Sequence, residues 1–323
     1  MNKKIKTVGI VNYGSIAKKY LRVLSCEYPL LKINVFTSQN INGHNTDKIS
    51  FFKNFNKFAS SGIDAAIICS PPNQHVNQII KLANKKIHVL VEKPISNSTR
   101  NLKRAFSVIK SNKLVLSVGY LLRNDNGLKK LKILLNKKII GKIVNASIEC
   151  RSFLPEWRKS NYKKSVSSLK ELGGGALLEL SHEIDYLEIL FGKIKFYNSI
   201  IYNSRSLKID AEDNVLLNVL TNKNFLINLS LDFCSRINVR KTVVRGLKGN
   251  LTWDFFKDKI YLNLPKKKVK NILYKSNKKN LLKLQLNLFF KRIINKNLHN
   301  NYRKEFELIK KILIVKKTFF KKI

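Results

Sequence analysis

Acid is what this chain has least of. Its 323 residues carry 20 aspartates and glutamates against 63 lysines and arginines, a formal charge of +43. Arginine is also scarce, at 12 against 51 lysines, and asparagine reaches 37. Nucleic-acid readers rely on arginine for two-point contacts to bases and phosphates, so the charge does not announce a specific nucleic-acid partner. It is also spread out: +15 over residues 1–120, +10 over 121–256 and +18 over 257–323. A/T-rich codons favour Lys, Asn and Ile, so a biased composition accounts for much of the excess. Cysteines number four, Cys26, Cys69, Cys150 and Cys234, with no C-x-x-C pair. That excludes a disulfide framework and a cysteine-ligated metal centre, and the four read as free buried thiols in a reducing compartment. No apolar run approaches the ~18–20 residues of a membrane span. The basic start, Met1 to Lys6, is followed by Asn12, Tyr13 and Gly14, which interrupt any signal-peptide apolar region. A cytoplasmic protein is expected.

What is present is enough apolar material for sizeable cores, 44% with 10% aromatics, and a length that suggests two domains. Apolar runs at residues 5–11, 33–36, 63–69, 87–91 and 114–118 alternate with amphipathic stretches at 16–24, 76–83 and 99–110. The runs show little alternation, as in strands covered on both faces. This predicts an α/β Rossmann domain with a doubly wound parallel sheet over residues 1–120. Beyond that, strand patterns at 145–153, 195–202, 215–220, 225–233, 241–245 and 260–264 are joined by short polar turns such as Thr221-Asn-Lys-Asn224. They predict a C-terminal α+β domain, 121–323, with a mostly antiparallel open sheet and helices from Leu281 onward, where Leu284, Leu288, Phe289 and Ile293 keep helical spacing. The open face of that sheet is a candidate surface for a homodimer or homotetramer.

Three stretches carry chemistry. Between the first strand and helix stands Asn12-Tyr-Gly14-Ser15-Ile16-Ala17, close to the G-x-G-x-x-G/A turn that admits a dinucleotide pyrophosphate. Asparagine at the first glycine place tolerates positive φ. The second strand ends in Phe36-Thr37-Ser38-Gln39, without the carboxylate that holds the ribose hydroxyls of NAD; NADP therefore stays open beside NAD. The second stretch is Asp64-Ala-Ala-Ile-Ile-Cys-Ser70-Pro71-Pro72-Asn73-Gln-His75 followed by Glu92-Lys93-Pro94. The third is Gly173-Gly-Gly-Ala-Leu-Leu-Glu179-Leu-Ser-His182-Glu183-Ile-Asp185-Tyr186. On one helix, Glu179, His182 and Asp185 would share a face, with Leu177, Leu178, Ile184 and Leu187 turned inward. Residues 171–188 hold five of the 20 acids, of which Glu183 and Glu188 suit a solvated face. The zinc spacing H-E-x-x-H is absent, and no metal is expected.

The second and third stretches together resemble the Gfo/Idh/MocA oxidoreductases, the glucose–fructose oxidoreductase and inositol dehydrogenase family. Gly119-Tyr120-Leu-Leu-Arg123 and Phe153-Leu-Pro155-Glu-Trp157-Arg158 extend the likeness. One departure stands out: many relatives carry Asp four residues before the His, whereas this chain has Leu178 there and Glu179 at three. The resemblance implies NAD or NADP as cofactor, lined by Asn12, Gly14, Ser15, Ile16, Thr37, Ser70, Pro71, Asn73, His75, Glu92 and Lys93. It implies Lys93 and His182 as acid/base candidates, with Glu179 or Asp185 orienting the His ring. Arg123, Trp157, Arg158 and His182 would meet a sugar, sugar-acid or nucleotide-sugar substrate, Trp157 by stacking and Arg158 by gripping an anion. A different class stays open on charge alone. It is a basic, non-catalytic binding protein on a Rossmann scaffold, drawn to nucleic acid or anionic membrane by Lys266-Lys-Lys268 and the lysines of the tail.

Overall fold

The computed structural model describes residues 5–39, 45–157 and 161–318. The chain divides into two compact units. The first comprises residues up to Tyr120 together with Asn280–Ile309, and the second comprises Leu121–Lys279 with the chain from Lys310 on.

In the first unit the strand–helix alternation reads β1 (Thr7–Val11), α1 (Ser15–Glu27), β2 (Lys32–Phe36), β3 (Ile49–Phe52), α2 (Phe55–Ala59), β4 (Ala65–Ile68), α3 (Pro72–Asn84), β5 (His88–Val91), α4 (Leu102–Ser111) and β6 (Leu116–Val118). All six strands pair in parallel in the order β3-β2-β1-β4-β5-β6. Val8, Ile10, Ile33, Val35, Ile67 and Leu90 are buried, which is why the strands read as unbroken apolar runs. The strand order reverses between β1 and β4, and ligands of open α/β sheets bind outside the carboxyl ends of the strands at such a point.

The second unit contains α5 (Asn126–Asn136), β7 (Ile143–Phe153), α6 (Ala176–Glu179), α7 (His182–Phe191), β8 (Ile194–Tyr202), β9 (Asn214–Thr221), β10 (Leu226–Asp232), β11 (Cys234–Gly246), β12 (Gly249–Asp254), β13 (Lys259–Asn263) and β14 (Lys270–Ile272). The eight strands run β14-β13-β12-β11-β7-β10-β9-β8, antiparallel throughout except for the β10–β7 pair. Ala146, Ile148, Leu217, Leu229 and Val244 are buried, with α5 against β12 and β13, α6 against β9 and β10, and α7 against β8. The other face leaves Ile200, Leu216 and Leu226 exposed beside a cross-strand row in which Asn228 donates to Asn218 and Asn218 to Asn198.

Several expectations change. The helix α8 (Leu281–Ile294) belongs to the first unit and not to the second. Leu286, Phe289, Phe290 and Ile293 enter the same core as Tyr20, Leu24 and Ile33, while Leu288 points out at 41% exposure. The helix α9 (Tyr302–Thr318) follows it. Cys26 is exposed and Cys234 half-buried, so only Cys69 and Cys150 are buried thiols. The stretch from Ala176 to Phe191 is not one helix, because α6 stops at Glu179 and α7 starts at His182. Leu177, Leu178, Ile184 and Leu187 do turn inward. Glu183 does not sit on a solvated face: it is 0% exposed and paired with Arg240 at 2.7 Å. Glu188, half-buried, bonds Lys311. No described helix is long and apolar enough to cross a membrane.

Candidate active site

At the switch point of the first unit, β1 runs into a turn built around Asn12, whose φ of 75° lies in the left-handed region that asparagine tolerates. The Asn12 Oδ1 accepts the Tyr13 amide at 2.8 Å. Gly14 then caps α1 without any side-chain capping bond, and no acidic side chain lies in the first helical turn. The first amides of a helix lack internal partners and carry the positive end of its dipole. A Cβ built on Gly14 would meet no protein atom within 4 Å, and Gly14 has an ordinary negative φ of −81°. Neither strain nor packing demands glycine here. The bare backbone beside Ser15 and Ile16 fits a pyrophosphate approaching closely, so the residues present suit a dinucleotide.

Thr37, at the end of β2, is buried, and its Oγ1 accepts the Gln39 amide at 3.1 Å. Lys53 donates to the Gln39 carbonyl. Sequence pattern alone gave no sign of that lysine. Beyond β4, Ser70 is buried, Pro71 half-buried and Asn73 exposed in the first turn of α3. His75 is 1% exposed, and its Nε2 and Nδ1 lie 2.7 and 2.9 Å from the carbonyl oxygens of Ser70 and Pro94. It therefore ties the turn after β4 to the turn after β5. Burial pushes its pKa down to about 4, outweighing the two carbonyls that favour the charged ring.

The turn after β5 carries Glu92 and Lys93, both half-buried. The Glu92 carboxylate accepts the Tyr20 hydroxyl at 2.6 Å and the Lys93 amide at 3.3 Å. The turns that hold Asn12, Thr37, Ser70 and Glu92 lie at the carboxyl ends of β1, β2, β4 and β5 in one unit.

In the second unit Glu179 and His182 are half-buried, and Ser167 donates to Glu179 at 3.1 Å. The glycine run ahead of them is dictated by space. A Cβ on Gly174 would stand 2.3 Å from the Val166 carbonyl, and one on Gly175, at φ 104°, 2.2 Å from the Glu212 carboxylate. Asp185, 2% exposed, takes a two-point bond from Arg123, Nε to Oδ2 at 2.8 Å and Nη2 to Oδ1 at 2.7 Å. Asp185 and Arg123 are thus a unit, a pairing that residue spacing could not show. Trp157 is 37% exposed and meets Phe233 edge-on at 5.0 Å. Arg158 lies outside the described residues. No group of three or more metal-ligating side chains occurs among the described residues.

The comparisons with known proteins agree with this fold. Residues 6–120 match the family model described as oxidoreductase family, NAD-binding Rossmann fold, and residues 128–252 match the GFO/IDH/MocA C-terminal domain. An uncharacterized oxidoreductase of Streptococcus pneumoniae is 25% identical over 211 residues, 64% of this chain and 56% of that protein. The 2,7-anhydro-N-acetylneuraminate hydratase of Escherichia coli is 28% identical over 136 residues, 42% of this chain and 36% of the enzyme. The aligned part thus spans about a third to just over half of these relatives' lengths. Among solved structures, a 3-ketoreductase from Actinomadura kijaniata in complex with NADP and TDP-benzene superposes with a TM-score of 0.82 at 15% identity. The match covers 97% of this chain and 96% of that one, and it shows a shared fold.

Proposed function

Because the chain belongs to the Gfo/Idh/MocA family of oxidoreductases, we propose that it transfers a hydride between NAD or NADP and a carbinol or carbonyl carbon of a sugar, sugar acid or nucleotide sugar. The observation that carries this is the switch point itself. A turn cleared for a pyrophosphate at Gly14 and a lysine at the end of β5 share the carboxyl edge of one parallel sheet. The nicotinamide, when bound, supplies or accepts the hydride.

Lys93 is the acid/base, giving a proton to the oxygen of a carbonyl under reduction or taking it from a carbinol under oxidation. His182 is the second candidate, since an imidazole can both take and give a proton. Asp185 acts through Arg123: the two-point bond fixes the guanidinium plane at the start of the second unit, where it can meet an anionic or hydroxylated substrate. Glu179, set by Ser167, is left to orient His182. Trp157 offers the exposed part of its ring as a platform for a pyranose.

The test begins with NADH and NADPH titrations followed by cofactor fluorescence, then turnover on a panel of sugars and nucleotide sugars. Lys93→Met and His182→Asn should each lower turnover by about 10²–10⁴-fold while cofactor affinity stays within a few-fold. Absence of cofactor binding, or full turnover in both variants, overturns the assignment.

A further inference from the structure

A chain of three polar side chains crosses the apolar core of the first unit. Gln285 of α8 donates to the Tyr20 hydroxyl at 2.6 Å, and that hydroxyl donates in turn to Glu92 Oε1 at 2.6 Å. Tyr20 is 0% and Gln285 6% exposed. Around them lie Ala17, Leu24, Cys69, Leu286 and Phe289. Folding does not ask for this chain: a phenylalanine and a leucine would fill the same space without burying a hydroxyl and an amide. The far end of the chain explains it. Glu92 Oε2 accepts the backbone amide of Lys93, and the carboxylate lies against the bare backbone of Gly119. A Cβ there would stand 2.9 Å from Oε1 and 3.0 Å from Oε2. Four segments, α1, α8, the end of β5 and the turn after β6, therefore build one seat for one carboxylate.

We infer that Tyr20 and Gln285 are positioning residues that fix the Glu92 carboxylate and, through it, Lys93. The inference deepens the proposed role of Lys93 and rests on it. The Gln285 amide occupies an acceptor position of the Tyr20 oxygen, which leaves the phenolic proton directed at Glu92. The other titratable groups facing this carboxylate are Tyr20 and Cys69, both kept neutral because burial and the Glu92 charge push their pKa values well up. His75, held neutral by burial, lies close enough to Lys93 to feel its charge. The Tyr20 hydroxyl thus holds the Glu92 carboxylate in place, and that carboxylate holds the backbone of Lys93.

The test needs no substrate. The cofactor-free protein is pulse-labelled with acetic anhydride at pH 8, and acetylation of Lys93 is read by mass spectrometry against exposed lysines such as Lys103 and Lys129. Tyr20→Phe removes one oxygen and keeps the ring. It should speed Lys93 acetylation several-fold by releasing the carboxylate that holds the Lys93 backbone, with the reference lysines unchanged. Glu92→Gln should do the same, and the double variant should not exceed either single one. Gln285→Met should act in the same direction with smaller size. An unchanged Lys93 rate in Tyr20→Phe, or additive effects in the double variant, overturns the positioning role. If labelling behaves as expected but Lys93→Met retains full turnover, the positioning stands and the catalytic role of Lys93 falls.

Discussion

Gly14 matters for what it leaves out. Its φ is ordinary and its surroundings are open, so a side chain there costs the folded protein little and obstructs only a ligand. Gly14→Val should weaken NADH and NADPH binding by at least about tenfold, while the melting temperature moves by no more than about 2 °C. Loss of stability with retained binding would show that the glycine serves the fold. Asn12, at φ 75°, does the conformational work that a dinucleotide-binding turn more often gives to glycine, and this substitution was readable from the sequence because few side chains tolerate that region. His75 was readable only as a motif member. Its two carbonyl partners come from segments five and nineteen residues away, and no spacing rule links them. Because its pKa drops from 6.5 to about 4 on burial, the unfolded chain binds its proton first as pH falls. The stabilisation is complete above pH 6.5 and is lost progressively down to about pH 4, by roughly 3 kcal/mol in all. Urea midpoints across this range should decline for the natural chain and decline less for His75→Gln; a midpoint that rises toward acid would mean the ring folds charged.

At the scale of elements, α7 shows where pattern reading failed. Helical spacing placed Glu183 toward water, but α7 is covered on nearly every side, with Ile184, Tyr186, Leu187 and Leu190 all buried. Glu183 survives there because Arg240 of β11 bonds it at 2.7 Å and also donates to Cys150 at 3.4 Å. Burial pushes the Cys150 thiol up to about 12, so it remains a neutral neighbour. Removing one member leaves a charge buried without compensation. Arg240→Leu should therefore destabilise the protein by about 3–5 kcal/mol, and adding Glu183→Leu should restore most of that loss. Equal melting temperatures for the single and double variants would refute the coupling. The place of α8 was hidden for a related reason. Its apolar spacing declares a buried face, yet Phe289 and Ile293 could have packed on either unit. The choice depends on Tyr20, Leu24 and Ile33, which lie more than 250 residues earlier in the chain.

At the scale of the molecule, the charge of +43 suits an enzyme whose cofactor, and in one proposed class its substrate, are anions. Such a field raises the encounter rate more than the affinity. NADPH association measured by stopped flow should slow several-fold as salt rises from about 20 to about 200 mM, with the dissociation rate nearly constant. A salt-independent association rate would leave the lysines as compositional background. The sequence by itself determined the parallel sheet of the first unit, the mostly antiparallel sheet of the second, and the stretches that hold Gly14, Lys93 and His182. Periodicity, turn chemistry and short motifs are local properties, and a chain of 323 residues displays them directly. Tertiary structure decided which charges are paired, which cysteines are buried, where α8 packs, and that a tyrosine in α1 holds the carboxylate beside Lys93. Those are contacts between residues up to 265 positions apart. Each exists only where folding has brought the two partners together and removed the water between them.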